Sequence, residues 1–207
     1  MIKLLGRSSS INVRKVLWTL AELGVEYQHE EWGSEALPLQ SAAFLALNPN
    51  GLVPVLQHDG LTLWESNTIC RYLAGSCGRA DLLPVGAAPR ARVEQWMDWQ
   101  ATELNDAWRY AFMGLVRKSP AHQDAQAMQA SLKNWNRHMA ILDSALSRTG
   151  TYVAGPAFTL ADIPIGLSVH RWFMTPFDHP SLPDVAAYYE LLSERPAYRR
   201  HGRNGLP

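Results

Sequence analysis

Three hydroxyls stand in a row at Ser8-Ser9-Ser10, behind the apolar run Ile2-Lys3-Leu4-Leu5 and before Ile11-Asn12-Val13-Arg14-Lys15-Val16. Val13, Val16, Leu17, Leu20 and Ala21 recur at helical spacing and Gly24 ends the run, so the segment reads as strand, hydroxyl-rich turn and amphipathic helix. The start of a helix presents unpaired amides and the positive end of its dipole, which together attract an anion. A serine there either caps the helix or donates its hydroxyl to a developing thiolate, favouring the charged form. Asn12 is either a second donor or an ordinary turn residue. Glu65-Ser66 is a second junction of this kind, where a strand ends and a helix begins. It reads as a serine cap behind a surface acid, or as an anion site of amides and a hydroxyl. Pro54 opens the run Val53-Pro54-Val55-Leu56, a place a strand tolerates only at its start or edge.

These junctions lie in a segment that alternates in type. Residues 2–5, 27–31, 53–57 and 61–64 read as strands, and 13–23 and 66–74 as helices, with a loop and short helix up to 47. His58-Asp59-Gly60 is a hairpin turn, because the favoured two-residue turn takes positive φ at both central positions. Strand–helix–strand needs a crossover and gives a parallel pair; the hairpin adds antiparallel strands. The expected fold is therefore α/β over residues 1–81, a βαβ unit followed by ββα. Residues 82–89 carry the Pro, Gly and Ala of a linker.

Beyond the linker, 90–207 reads as an all-helical domain, with helices at 90–116, 123–148, 159–173 and 183–194. Thr159 followed three residues later by Asp162, with Phe158 placed to staple onto Ile163, is a helix-start signature. Asp162 is read as structural. Trp96 and Trp99, one turn apart, are expected in the core. Trp108 and Phe112 share a face that either packs the core or lines a pocket.

With 19 basic and 19 acidic residues the chain has no formal net charge, so nothing favours nucleic acid or an anionic membrane as partner. No signal-like segment opens it and no apolar run approaches membrane-span length, which predicts a cytoplasmic protein. Cys70 and Cys77, seven apart, form neither a CxxC pair nor a zinc half-site, so no metal is expected. Cys70 is expected to be buried and Cys77 more exposed.

Taken together, the stretches SINVRKVLW, FLALNPNGLVPVL, LWESNTICRYLA and FTLADIPIG resemble the glutathione S-transferase family, in its order and along most of the chain. The serine version of the first stretch is similar to the phi, theta and related bacterial classes. The resemblance implies a thioredoxin-like N-terminal domain followed by an all-helical one, glutathione as co-substrate, no metal, and a small, largely apolar electrophile as second substrate. It places the thiol-activating hydroxyl on Ser10, with Ser9 as rival and Asn12 as a second donor. Gln40, Leu52, Val53, Pro54, Glu65 and Ser66 become the glutathione contacts. Val53-Pro54 resembles the cis-proline that lets a backbone pair with the cysteinyl part of the tripeptide; Ser66 and Glu65 would take its γ-glutamyl carboxylate and ammonium. One departure stands out: where relatives often carry a basic residue for the glycyl carboxylate, this chain has Leu39 and Gln40. The resemblance further implies a homodimer, with Asp98 near the partner's site or merely solvated. The alternative is a binding or regulatory protein of the same fold without turnover. A thiol oxidoreductase is excluded because the turn offers serine where such a protein needs cysteine.

Overall fold

The computed structural model describes residues 1–207, which divide into two compact units, Met1–Leu83 and Pro84–Pro207. In the first, β1 (Ile2–Leu5), α1 (Ile11–Leu23), β2 (Tyr27–Glu30) and the short α2 (Ala42–Leu45) precede β3 (Val55–His58), β4 (Leu61–Trp64) and α3 (Ser66–Ser76). The four strands form one sheet in the order β2-β1-β3-β4. β1 runs parallel to β2, with Leu4 opposite His29, and antiparallel to β3, with Leu4 opposite Leu56. The β3–β4 hairpin turns through Asp59 (φ 47°) and Gly60 (φ 85°), both left-handed as the Asp-Gly pair requires.

Helices α1 and α3 pack on each other. Val13, Val16, Leu17 and Leu20 of α1 and Ile69, Cys70 and Leu73 of α3 are all buried. Leu5, Phe44 and Val55 form a separate cluster closed by Trp32, Leu39, Leu47 and Val53. Gly24 ends α1 in the left-handed conformation (φ 66°), its amide returning to Leu20 and Ala21 carbonyls. Cys70 is buried and Cys77 exposed. Burial pushes the Cys70 thiol up to about 11, although the Thr19 hydroxyl donates to Sγ at 3.1 Å. Cys70 is a core residue, not a nucleophile.

The second unit holds α4 (Ala87–Trp99), α5 (Asn105–Leu115), α6 (Ala125–Thr149), α7 (Asp162–Met174), α8 (Pro183–Ser193) and α9 (Pro196–His201). Two sequence expectations are corrected here, and one left open is decided. The single helix expected over 90–116 is broken by a π-helical turn at Gln100–Leu104. Buried Gln100 donates Nε2 to Asn105 Oδ1 (2.9 Å) and Ser168 Oγ (3.0 Å), while Thr102 and Asn105 bond back to the Asp98 and Ala101 carbonyls. Side chains competing for the helical ladder are a known cause of such irregularities. Trp96 and Trp99 are half-buried rather than core residues, packed edge to face at 5.2 Å. Trp108 and Phe112 are core residues, with the Arg171 guanidinium 4.4 and 4.0 Å from their ring centres.

Helix α7 is buried from Asp162 through Trp172 and begins three residues later than expected, after the turn at Thr159. The Asp162 carboxylate reaches back to Thr159, as a capping acid does. It accepts from the Thr159 amide (2.8 Å) and hydroxyl (3.2 Å), the Val153 amide (3.0 Å) and the Tyr188 hydroxyl (2.9 Å). Asp162 thus ties the α7 start to the 153 loop and to α8. No helix is long and apolar enough to cross a membrane.

Candidate active site

The first turns of α1 and α3 come together beside the β3 entrance. Asn12 is the second residue of α1, Ser66 the first of α3, and the Ser66 hydroxyl lies 3.5 Å from Asn12 Oδ1. Around this contact is a cavity of about 150 Å³, lined by Asn12, Asn48, Asn50, Leu52, Val53, Pro54, Glu65 and Ser66. Six of the eight are residues the sequence pointed to.

Each wall has a local cause. The Val53-Pro54 peptide bond is cis, and β3 begins one residue later, at Val55. Gly6, with φ 146°, leaves room for this loop: a Cβ there would lie 2.9 Å from Val53 Cβ and 2.6 Å from Val13 Cγ2. Glu65, preceding α3, has φ 71° and ψ 107°, a backbone conformation that costs a non-glycine residue about 1–3 kcal/mol. Strain of this kind collects where a geometry serves binding. Its side chain makes no capping hydrogen bond, so the first α3 amides are left for another acceptor. Ser66 and Asn67 are buried while Glu65 is exposed.

Asn48 and Asn50 line the cavity without having been singled out in the sequence. Asn48, 3% exposed, donates Nδ2 to the Leu52 carbonyl (2.7 Å), and its Oδ1 accepts from the Asn50 amide (3.1 Å) and Nδ2 (3.0 Å). It holds the loop that presents Leu52 and Val53. The signal was a polar pair flanking proline and glycine between two apolar runs, which reads first as a simple turn.

Two expected residues lie outside this lining. Ser10 is the N-cap of α1, with extended backbone angles (φ −76°, ψ 127°) and no capping hydrogen bond from its side chain. It is half-buried, whereas Ser8 and Ser9 are exposed. Gln40 is exposed and lies against the Gly51 backbone, its Nε2 2.6 Å from where a Cβ on Gly51 would sit. Leu39 packs into the Phe44 cluster, so no cation stands at either position. No group of three or more His, Cys, Asp or Glu side chains converges as a metal site.

With this geometry the chain can be set beside known proteins. The family models described as glutathione S-transferase, N-terminal and C-terminal domain match residues 1–75 and 105–196. The chain is 42% identical over 202 residues to glutathione S-transferase GstB of Escherichia coli, covering 97% of each. A crystal structure of the theta class glutathione S-transferase of Xanthomonas axonopodis pv. citri with glutathione bound superposes with a TM-score of 0.90. Identity is 41%, and the match covers 97% of this chain and 96% of that one. Elongation factor 1-gamma 2 of Oryza sativa is 27% identical over 93% of this chain but only 46% of its own length.

Proposed function

This chain belongs to the glutathione S-transferase family, and from that premise we propose that it is a serine-type transferase. In this reading Ser10 holds the glutathione sulfur as a thiolate for attack on a small, largely apolar electrophile. The observation that carries it is the convergence of Asn12, Val53, Pro54, Glu65 and Ser66 on one cavity.

A free thiol titrates near ~8.5 and is mostly protonated at neutral pH, so the enzyme's task is to favour the thiolate. The Ser10 hydroxyl, uncommitted to capping, donates to the sulfur, and the positive end of α1 adds to the same field. The thiol proton leaves to solvent. The sulfur lone pair then forms the C–S bond at the electrophilic carbon, and the leaving group or displaced π electrons carry the charge away. Asn12 assists as a second donor.

The rest of the cavity holds the peptide. The Ser66 hydroxyl and the first amides of α3 take the γ-glutamyl carboxylate, and the Glu65 carboxylate takes the ammonium. The Val53 backbone pairs with the cysteinyl residue as an added strand would. Leu52 and Gln40 border the glycyl end, where Gln40 supplies hydrogen bonds in place of a cation. Ser66→Ala and Glu65→Gln should therefore weaken glutathione binding more than they slow chemistry. A lost hydrogen bond to a charged group is worth about 1.5–3 kcal/mol, or roughly 10- to 100-fold in affinity. Calorimetry giving wild-type affinity in both variants would remove the γ-glutamyl site from this scheme.

The missing cation at Leu39 and Gln40 favours a second reading, a glutathione-fold binding module without turnover. Retention on immobilised glutathione, eluted by free glutathione and coupled to measurable conjugation, decides against it.

The functional unit in this proposal is a homodimer. β4 is an edge strand carrying exposed Leu61 and Trp64. An isologous contact between two copies closes on a two-fold axis. Sedimentation at micromolar concentration is expected to show twice the chain mass; a monomer with full activity would end the proposal.

A further inference from the structure

Glutathione carries two carboxylates and one ammonium group. In the scheme above Glu65 takes the ammonium, and Ser66 with the first α3 amides takes the γ-glutamyl carboxylate, so the glycyl carboxylate is left. Glu65 is the sole charged side chain lining the cavity, and nothing in that lining neutralises a second anion. The Lys and Arg residues of the first unit are Lys3, Arg7, Arg14, Lys15, Arg71 and Arg79. Lys3 is held by Glu30 at 2.7 Å and Arg79 by Asp81 at 2.7 Å. Arg14 and Lys15 are buried and Arg71 half-buried, and all three are engaged with other groups. Arg7 alone is exposed with a guanidinium that makes no ion pair or hydrogen bond.

Two contacts locate it. Its neighbour Gly6 lies against Val53, where a Cβ on Gly6 would stand 2.9 Å from Val53 Cβ. Its own stem lies over Gly33, where a Cβ would meet Arg7 Cδ at 3.4 Å and Leu39 Cδ1 at 3.7 Å. Arg7 therefore runs from the Val53 edge of the cavity to the Leu39–Gln40 segment, the stretch that has no cation of its own. Gly33, with φ 103° and its amide bonded to the Leu37 carbonyl at 2.8 Å, turns the loop that leaves this room. The Arg7 backbone is anchored as well. The Ser10 amide donates to its carbonyl at 3.0 Å, and the Ser8 amide donates to Glu31 Oε2 at 3.0 Å. With the γ-glutamyl end at Ser66 and the cysteinyl residue along Val53, the glycyl end continues past Val53 on the side away from Ser66. That is the side on which Arg7 and Gln40 stand.

We propose that Arg7 binds the glycyl carboxylate, so that the charge absent at Leu39 and Gln40 comes from the β1–α1 turn instead. A guanidinium suits a carboxylate because its N–H donors pair with both oxygens. The consequence is a specificity: the protein selects a thiol peptide with a free C-terminal carboxylate over one whose end is neutral. This rests on the glutathione scheme proposed above.

The probes are glutathione and its C-terminal amide, each titrated calorimetrically into the full chain. Wild type should bind glutathione about tenfold more tightly than the amide, the lower end of what a hydrogen bond to a charged group supplies, since Arg7 is exposed. Arg7→Gln should weaken glutathione about tenfold and leave the amide unchanged, bringing the ratio near one; Arg7→Lys should restore part of it. In conjugation assays the same variant should raise KM for glutathione with kcat nearly unchanged. Gln40→Ala removes only a neutral donor and should weaken both peptides alike. Wild type that binds both peptides equally, an Arg7→Gln variant that keeps the preference or weakens both equally, or a preference lost in Gln40→Ala overturns the Arg7 assignment while the glutathione scheme stands. Wild type that binds neither peptide overturns both. Arg7 is exposed, so its variants should fold, and unchanged melting temperatures check this before the titrations are read.

Discussion

Ser10→Ala should lower the rate of glutathione conjugation by roughly 10²–10³ while glutathione affinity stays within a few-fold of wild type, because one preorganised donor to a developing anion is worth that much. The substitution is a clean test here. A capping serine replaced by alanine typically costs about 1 kcal/mol of stability, but the Ser10 side chain makes no capping bond in this structure. Loss of rate should thus come without loss of fold. The acidic limb of the pH–rate profile should move up toward the ordinary thiol range near ~8.5, since the hydroxyl no longer favours the thiolate. Unchanged turnover with an unchanged profile would transfer the role to Ser9 or Asn12.

Asp162→Ala should cost at least about 1–3 kcal/mol of folding stability, a large share of the ~5–15 kcal/mol of an ordinary domain. The carboxylate is fully buried and accepts from the Val153 and Thr159 amides and the Thr159 and Tyr188 hydroxyls. Alanine leaves those donors buried without an acceptor, each at a cost of about 1–3 kcal/mol that does not sum fully. Asp162→Asn retains the shape and one acceptor oxygen and should lose less. Urea unfolding at pH 7 measures both, and a loss under about 1 kcal/mol in the alanine variant would contradict the tie drawn between α7, the 153 loop and α8.

The same carboxyl gives a pH dependence of defined sign. Burial, working against four hydrogen bonds, pushes it up to about 6 from 3.8. Between those values the native state holds a proton that the unfolded chain has released. This contribution to stability is fully present below about pH 4, declines as pH rises, and is gone above about 6. Relative to Asp162→Asn, the wild type should lose stability across that window as the pH is raised.

Local chemistry was legible residue by residue. Asp59-Gly60 specified a hairpin, Gly24 a helix end, Thr159 with Asp162 a capped helix start, and each depends on a few neighbouring residues whose backbone preferences the chain carries with it. The junctions at Ser10–Asn12 and Glu65-Ser66 were readable for the same reason. The π-helical turn at Gln100–Leu104 was not, because one of the hydrogen bonds made there, from Gln100 to Ser168, reaches a residue sixty-eight positions away. Nor was the fate of the aromatics: helical spacing put Trp96 beside Trp99 and Trp108 beside Phe112 in the same way. Only the packing of α6 and α7 separated them, one pair onto a half-buried face and the other beneath Arg171.

By itself, then, the amino-acid sequence determined the order and type of the elements of the first unit, several turns and caps, and the family to which the chain belongs, since these rest on short-range backbone preferences and contiguous motifs. The tertiary structure decided what touches what. It brought Asn12 to Ser66 across fifty-four residues and set Asn48 behind the loop that presents Val53. Such meetings depend on how two helices pack over a sheet or against each other, which periodicity along a single segment does not encode.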